Sequence, residues 1–122
     1  MFADTDFLLA LIKNSDWLKK NAIKILAEHK GKITTSISVI IELAHVCKRL
    51  KINSLETFAH VFDIINVDEE TYSICMSSGF YIEKYNLDVF DAFNAAFCGT
   101  DKIISSDSAY DIVGIERIKL EK

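Results

Sequence analysis

Apolar residues occur along the chain in two patterns, as short continuous runs and as longer segments in which they recur every three or four positions. Short runs bounded by polar residues or glycine are typical of strands, and the longer spacing is typical of amphipathic helices. Five short runs predict strands, at residues 2–4, 32–34, 64–67, 102–105 and 117–120.

Helices are predicted in most segments between these strands, at about residues 6–13, 15–29, 36–50, 53–63, 69–85 and 88–99. Ser15, Ser36, Asp68 and Asp88 can each cap the helix that follows, and Gly31 ends the second helix. Because strands alternate with helices, we expect a parallel sheet covered on both faces. The predicted fold class is therefore α/β, a three-layer α/β/α sandwich with a short, mostly parallel sheet.

Length and composition are those of an ordinary globular domain. The chain has 122 residues, of which 50% are hydrophobic and 26% are charged, so that we expect a single domain over residues 1–122. No apolar run approaches the roughly 20 residues of a membrane-spanning helix, and no leader-like segment opens the chain; we therefore expect a cytoplasmic protein. Cys47, Cys75 and Cys98 are widely spaced and odd in number, which favours free thiols.

Four acidic residues lie beside apolar segments that are expected to be buried: Asp4, Glu42, Asp91 and Asp107. An ionised carboxylate is costly to remove from water unless it is paired or binds a metal. If these four converge, they could hold a hard cation through oxygen ligands. The formal net charge of −4 argues against a nonspecific nucleic-acid binder, although bound divalent cations would make such a site much less negative.

Each of these acids also has a purely structural interpretation. Asp4 and Asp107 follow predicted strands, at the edge where open α/β sheets bind ligands, but each could instead cap the next helix. Asp91 could complete a capping box with Asp88. Glu42 belongs to a polar stripe that either faces solvent or lines a cleft, and the stripe comprises Ser38, Glu42, His45 and Arg49.

Two apolar patterns lead to further expectations. Phe90, Phe93 and Phe97 recur at helical spacing and are expected to belong to the core. The helix at 36–50 has one apolar side more than a single sheet face needs, formed by Val39, Leu43, Val46 and Leu50. Together with the apolar helix at 53–63, this side predicts a symmetric homodimer.

Four segments, taken in order, resemble the motifs of PIN domains, and in particular those of the small VapC-type toxins. They are Ala3-Asp4-Thr5-Asp6-Phe7-Leu8-Leu9, Ser38-Val39-Ile40-Ile41-Glu42-Leu43, Leu87-Asp88-Val89-Phe90-Asp91-Ala92 and Ile104-Ser105-Ser106-Asp107-Ser108-Ala109-Tyr110-Asp111. The resemblance spans essentially the whole chain. It implies a PIN-like ribonuclease that acts on RNA with Mg²⁺ or Mn²⁺ as cofactor, and an antitoxin protein bound as a helix in an apolar groove.

The resemblance also assigns roles to individual residues. The candidate catalytic residues, which are also candidate metal ligands, match the acidic quartet of the family: Asp4, Glu42, Asp91 and Asp107. Asp111 matches an accessory acid and is a further candidate metal ligand, and Ser105 matches a hydroxyl residue that precedes the last acid. Asp6 stands where the family commonly has Asn or Ser, and Asp88 where it often has a small hydroxyl residue.

Several functions remain open on the sequence alone. Clustered carboxylates suit phosphodiester hydrolysis, because a bound Mg²⁺ or Mn²⁺ can polarise the phosphate and lower the pKa of a bound water. A PIN-like fold could instead serve only as a binding module. A phosphatase of the haloacid-dehalogenase type would use Asp4 as nucleophile, but 122 residues are too few for that fold with its cap. A phosphorylated receiver domain is weaker still, since its acids and terminal lysine would not follow the expected strands.

Overall fold

Seven helices and two strands form residues 1–121, which are the part of the chain that the computed structural model describes. In chain order they are α1 (Thr5–Ile12), α2 (Lys19–Glu28), α3 (Ile37–Leu50), α4 (Ser54–Ile64), α5 (Glu69–Tyr85), α6 (Val89–Cys98), β1 (Ile103–Ser105), α7 (Ala109–Ile112) and β2 (Arg117–Lys119). The predicted α/β fold class is confirmed. The domain predicted over residues 1–122 includes Lys122, which lies outside the described residues.

Capping residues define the starts of α4 and α5. The Asn53 side chain accepts a hydrogen bond from the Glu56 amide at 2.9 Å, and the Asp68 side chain accepts one from the Thr71 amide at 2.7 Å. Such bonds satisfy amides that have no partner within the first turn of a helix. At the other end, α5 stops at Asn86, whose φ of 54° lies in the left-handed region. The helices predicted at 53–63 and 69–85 are therefore confirmed.

The second helix begins later than the sequence predicts. Ser15 does not cap it, because the Asp16 side chain accepts a hydrogen bond from the Leu18 amide at 2.8 Å and holds the preceding residues in a turn. Helix α2 therefore starts at Lys19. The Lys19 ammonium donates to the carbonyl oxygen of Leu11 at 2.9 Å, which ties α2 to the end of α1.

The sheet is parallel, as predicted, but it is shorter than predicted. Strands β1 and β2 pair in parallel. The first three predicted strands are wrong as full strands, since they contribute only isolated parallel bridges, from Phe2 to Thr34 and from Thr34 to Asn66. Helices α1 and α3 begin within three residues of these bridges, so that little extended chain is left to pair. The short helix α7 was not predicted, because a single turn is too short to show helical periodicity.

The main core surrounds α3, which packs against α1, α4, α5 and α6. Val39 and Leu43 are only 6% and 0% exposed, so this half of the apolar side that was expected to meet a partner is covered by the chain's own helices, whereas Leu50 is 45% exposed. The expectation was wrong for Val39 and Leu43, because α3 has helical neighbours on both sides and does not simply cover a sheet. The three cysteines are free thiols, as predicted. Within residues 1–121, no helix combines the length and the apolar character needed to cross a membrane.

Helices α4 and α5 approach each other closely at Gly79, which is buried in the middle of α5. A Cβ atom added at Gly79 would lie 3.0 Å from the Leu55 Cα atom and 3.1 Å from a ring carbon of Phe58. The first of these atoms belongs to the backbone of α4 and cannot move away alone. The absence of a side chain at residue 79 therefore sets the distance between the two helices.

We predict that Gly79→Ala lowers the free energy of unfolding by about 1 kcal/mol, because an overpacking cost of about 1–3 kcal/mol outweighs the better helix propensity of alanine. Urea denaturation measures the change. The control Ser73→Ala, at an exposed position of α5, should leave stability unchanged or slightly raised. A gain in Gly79→Ala as large as that in the control would show that the helices can separate at no cost.

Candidate active site

Polar side chains follow the bridged segments at one edge of the sheet. Asp4, Ser36 and Asp68 each lie two residues after the bridging residue of their segment. Because the bridges are parallel, these residues lie at the carboxyl edge, where open α/β sheets bind their ligands. Asp107 lies two residues after the last residue of β1, in the equivalent place for that strand. The predicted strand-end position is thus confirmed for Asp107, whereas Asp4 follows an isolated bridge in place of the predicted strand.

Asp4 and Asp107 both make the local hydrogen bonds that their structural interpretation requires. Asp4 Oδ1 accepts a bond from the Thr5 amide at 2.7 Å, at the start of α1. Asp107 Oδ1 accepts a bond from the Ala109 amide at 2.8 Å, and the Asp107 amide donates to Ser105 Oγ at 3.0 Å. Each carboxylate uses one oxygen in this way and is exposed, so that its second oxygen is accessible to a ligand.

Asp91 does not behave as a capping residue. Asp88 stands at the N-cap of α6 without a side-chain cap bond, so that no capping box forms there. Asp91 instead accepts a hydrogen bond of 3.3 Å from the Tyr110 hydroxyl, and Tyr110 is only 4% exposed. The Asn94 side-chain amide donates to the same hydroxyl at 3.2 Å. Since the hydroxyl accepts from Asn94, its single proton is free to point at Asp91.

The electrostatic surroundings of Asp91 are unfavourable to its ionised form. Partial burial raises the pKa of the Asp91 carboxyl above its ordinary value, and the negative charge of Asp107 raises it further. The hydrogen bond from Tyr110 and the charge of Lys48 act in the opposite direction, but they do not cancel the rise. Asp91 and Asp107 are therefore close enough to repel each other, and a cation between them would relieve that repulsion.

Glu42 lies beside the same part of α6. Contacts between α3 and α6 run in antiparallel order, since Lys48 Nζ lies 2.8 Å from the Leu87 carbonyl oxygen and the His45 ring centroid lies 4.8 Å from that of Phe90. The residues one turn before His45 on α3 therefore lie opposite the residues that follow Phe90 on α6. Glu42 is located one turn before His45 and is exposed, as are the other members of the polar stripe.

Asp111 forms a salt bridge with Arg117. Arg117 Nε and Nη2 donate to the two Asp111 carboxylate oxygens at 3.2 and 3.1 Å, and Arg117 Nη1 donates to the Ser105 carbonyl oxygen at 3.0 Å and to Glu121. The Arg117 guanidinium holds the pKa of Asp111 below its usual range. This fork joins α7 to the two strands. A metal-binding role for Asp111 stays a prediction, and a metal there would have to share the carboxylate with Arg117.

The acidic residues do not form an enclosing cage. Within residues 1–121, no three His, Cys, Asp or Glu side chains are grouped closely enough to hold a metal ion. The pair of Asp91 and Asp107 still fits a hard cation, because Mg²⁺ keeps several waters and needs only one or two carboxylates. Glu42 is exposed on α3, one turn before the His45 ring that contacts Phe90. Asp4 lies on the sheet edge, and within the described chain its carboxylate bonds only the Thr5 amide.

Sequence reasoning missed two features of this region. The expectation that the three phenylalanines of α6 belong to the core was wrong for two of them, since Phe90 and Phe97 are 61% and 56% exposed, whereas Phe93 is 2% exposed. The bond between Tyr110 and Asp91 was also missed, because it joins residues 19 positions apart and no local spacing signals it. The spacing of Asp91 and Asn94 on one helix face was the available clue.

We predict a pH-dependent effect of Asp91→Asn on stability in EDTA. Below the ordinary pKa of an aspartate, near 3.9, the Asp91 carboxyl is protonated in both the folded and the unfolded chain. As the pH rises through the raised pKa of the folded state, ionisation destabilises the fold, and the uncharged Asn avoids this loss. The variant should therefore match the wild type at about pH 4 and be more stable at about pH 7, as measured by urea unfolding.

Asp63→Asn, which removes an exposed carboxylate from α4, serves as the control and should show no such rise between the two pH values. If Asp91→Asn is less stable than the wild type at neutral pH, Asp91 does not carry the electrostatic cost assigned to it.

The chain also matches a known family. The family model of the PIN domain matches residues 1–115, which confirms the resemblance of the four sequence segments. Neither the comparison with curated proteins nor that with solved structures found a significant match. Because the matched residues cover far more than half of the chain, this protein belongs to the PIN-domain family, whose fold is that of nucleases.

Proposed function

We propose that this protein is a metal-dependent endoribonuclease that hydrolyses RNA phosphodiester bonds with Mg²⁺ or Mn²⁺. One observation supports this proposal most strongly. Asp91 makes no capping bond and lies half-buried within reach of the Asp107 charge, without a compensating cation at hydrogen-bond distance in residues 1–121. A carboxyl whose pKa is raised by burial and by a neighbouring negative charge is typical of functional sites. Membership of a nuclease-like family indicates what that ligand does.

In this proposal, Asp91 and Asp107 bind the ion, and the other two acids of the predicted quartet complete the site directly or through water. When bound, the ion supplies the charge that polarises the phosphate and lowers the pKa of a water. The protein itself orients the two carboxylates. Tyr110 holds Asp91 Oδ1 and the Ala109 amide holds Asp107 Oδ1, so that one oxygen of each carboxylate is fixed by the protein.

A PIN-like fold that only binds is the second candidate. The lack of a three-residue metal cluster in residues 1–121 favours it. The phosphatase alternative has no such support. The Asp4 carboxylate, which would be its nucleophile, already accepts a bond from the Thr5 amide at the start of α1.

We predict that the purified protein cleaves single-stranded RNA in the presence of Mg²⁺ or Mn²⁺, and that EDTA stops the cleavage. Asp91→Asn should reduce the rate by at least about a hundredfold, because it removes a charge that holds the ion while keeping the shape of the side chain. Gel analysis of end-labelled RNA measures the cleavage. Asp4→Asn should also be impaired.

The matched control is Asp88→Asn, which removes an exposed acid three residues before Asp91 and should keep its activity. Full activity in both Asp4→Asn and Asp91→Asn would show that the catalytic assignment is wrong. Metal-independent binding of RNA without cleavage would favour the binding module, and formation of a covalent phospho-aspartate would favour the phosphatase.

We further propose that the protein is the VapC-like toxin of a toxin–antitoxin pair. A groove of about 380 Å³ between α1 and α4 is a suitable place for an antitoxin helix. Its apolar walls include Leu8, Leu11 and Ile64, and its polar rim includes Glu56 and His60. A groove with apolar walls and a polar rim suits the apolar face of an amphipathic helix.

We predict that Leu11→Glu prevents binding of the antitoxin but leaves RNA cleavage unchanged, because the new charge lies in the groove and not among the predicted catalytic acids. Size-exclusion chromatography of protein purified from its native cells should show a complex with a second small protein for the wild type, and the free chain for the variant. Ile23→Glu, at a position that is 51% exposed on α2 and outside the groove, is the control and should keep the complex. Equal elution of all three proteins would contradict the groove assignment.

A homodimer is also part of the proposal, although Val39 and Leu43 on the α3 side that first suggested it are buried. Support now comes from α5, where Tyr72 and Phe80 are 46% and 42% exposed and share one helix face with Met76. Exposed aromatic residues on one helix face are typical of interfaces between protein chains. Sedimentation velocity of wild type and Phe80→Lys distinguishes a dimer through this face from a monomer.

A further inference from the structure

An exposed aromatic pair lies directly beside the candidate active site. Phe90 is 61% exposed, and its ring centroid lies 4.8 Å from that of His45, with an angle of 58° between the ring planes. Phe90 immediately precedes Asp91 on α6, and His45 follows Glu42 by one turn on α3. The pair therefore bridges the two helices that carry two of the proposed metal-binding acids.

Charges of opposite sign lie at the two ends of this pair. On α3, Glu42 stands one turn before His45 and Arg49 one turn after it, and both are exposed. Within residues 1–121, Arg49 has no carboxylate partner. Lys48 is nearby, although its ammonium already contacts the Leu87 carbonyl oxygen at 2.8 Å and Asp88 at 3.6 Å. From Glu42 to Arg49 the distance along the helix axis is about 10 Å.

We propose that the Phe90–His45 pair stacks an unpaired base of single-stranded RNA next to the phosphate at the acidic site, and that Arg49 contacts a neighbouring phosphate. This inference rests on the proposed nuclease function and adds to it the residues that bind a base beside the reacting phosphate. A single strand exposes the faces of its bases, whereas a duplex buries them between neighbouring base pairs. The surface accordingly selects single strands or loops over duplex RNA.

The chemistry of the surface favours a nucleic acid over a protein partner. Cores of protein interfaces are depleted of charged residues, whereas Phe90 is followed directly by Asp91 on α6 and His45 stands between Glu42 and Arg49 on α3. Alternation of a metal site, an aromatic ring and an arginine matches the alternation of phosphate and base along a strand. Aromatic rings provide sequence-tolerant stacking in proteins that bind single strands, because every base has a π face.

The test measures RNA binding by fluorescence anisotropy, with a labelled single-stranded RNA of about ten nucleotides. Ca²⁺ replaces Mg²⁺, and a gel confirms that the RNA stays intact. Phe90→Leu keeps an apolar side chain but removes the π face, and it should weaken binding by about fivefold to 150-fold, the range measured for loss of one stacked base. Phe90→Trp restores a π face and should bind at least as tightly as the wild type.

Phe97→Leu is the matched control. Phe97 lies on the same helix and is 56% exposed, but it is two turns away from Phe90, and its replacement should leave affinity within about twofold. An oligonucleotide with abasic sites should bind the wild type and Phe90→Leu equally. A duplex of the same sequence should bind the wild type more weakly than the single strand does. Melting curves confirm that each variant is folded.

The inference is overturned if Phe90→Leu binds as tightly as the wild type, or if Phe97→Leu weakens binding to the same extent. It is also overturned if Phe90→Leu changes the sedimentation coefficient and leaves RNA affinity intact, because the surface would then be a protein interface. In all three cases the nuclease proposal survives, provided that the wild type still cleaves RNA. If the wild type neither binds nor cleaves RNA with any divalent cation, both proposals fail.

Discussion

Burial of α3 on two sides is the constraint that determines where the other elements of the site lie. Ile40, Leu43 and Ala44 are fully buried, and α3 packs against four other helices. A helix held in this way cannot rotate without exposing apolar surface, at a cost of about 25 cal/mol for each Å². Its one polar stripe is therefore fixed, and the antiparallel contact with α6 brings that stripe beside Asp91. The packing of the core and the geometry of the candidate site therefore both depend on the burial of α3.

Helix ends could be predicted from the sequence wherever a single side chain decides the local hydrogen bonding. Asn53 and Asp68 illustrate this, since each accepts a bond from an amide three residues later. Strand lengths could not be predicted in the same way, because they depend on pairing between distant segments. Phe2 pairs with Thr34 only, and α1 and α3 each begin three residues after these two positions. The apolar pattern predicts where an extended segment lies in the chain, but not how many of its residues pair with a neighbouring segment.

For the candidate site, the sequence located the acids but not what surrounds them. A strand-end position is a local property, which is why Asp4 and Asp107 could be placed. Which residues of α6 are buried, in contrast, depends on more than the local sequence. Phe90 and Phe97 are seven residues apart and share one side of the helix, while Phe93 lies on the side that packs into the core. Periodicity groups all three together, and only the arrangement of neighbouring helices determines which of them remains in water.

The charge of the protein explains why a neutral contact surface would matter for the proposed function. The chain carries a net charge of −4, and a phosphate approaching exposed Asp4 and Asp107 is repelled until a cation is bound. Salt also screens the attraction that an exposed arginine such as Arg49 can offer. Stacking on a ring such as Phe90 depends less on the metal and on the salt concentration than these charge interactions do. It comes from apolar contact between the face of the ring and the face of a base. An acidic nuclease with this arrangement would hold its substrate by the base and would need the cation mainly for the phosphate that reacts.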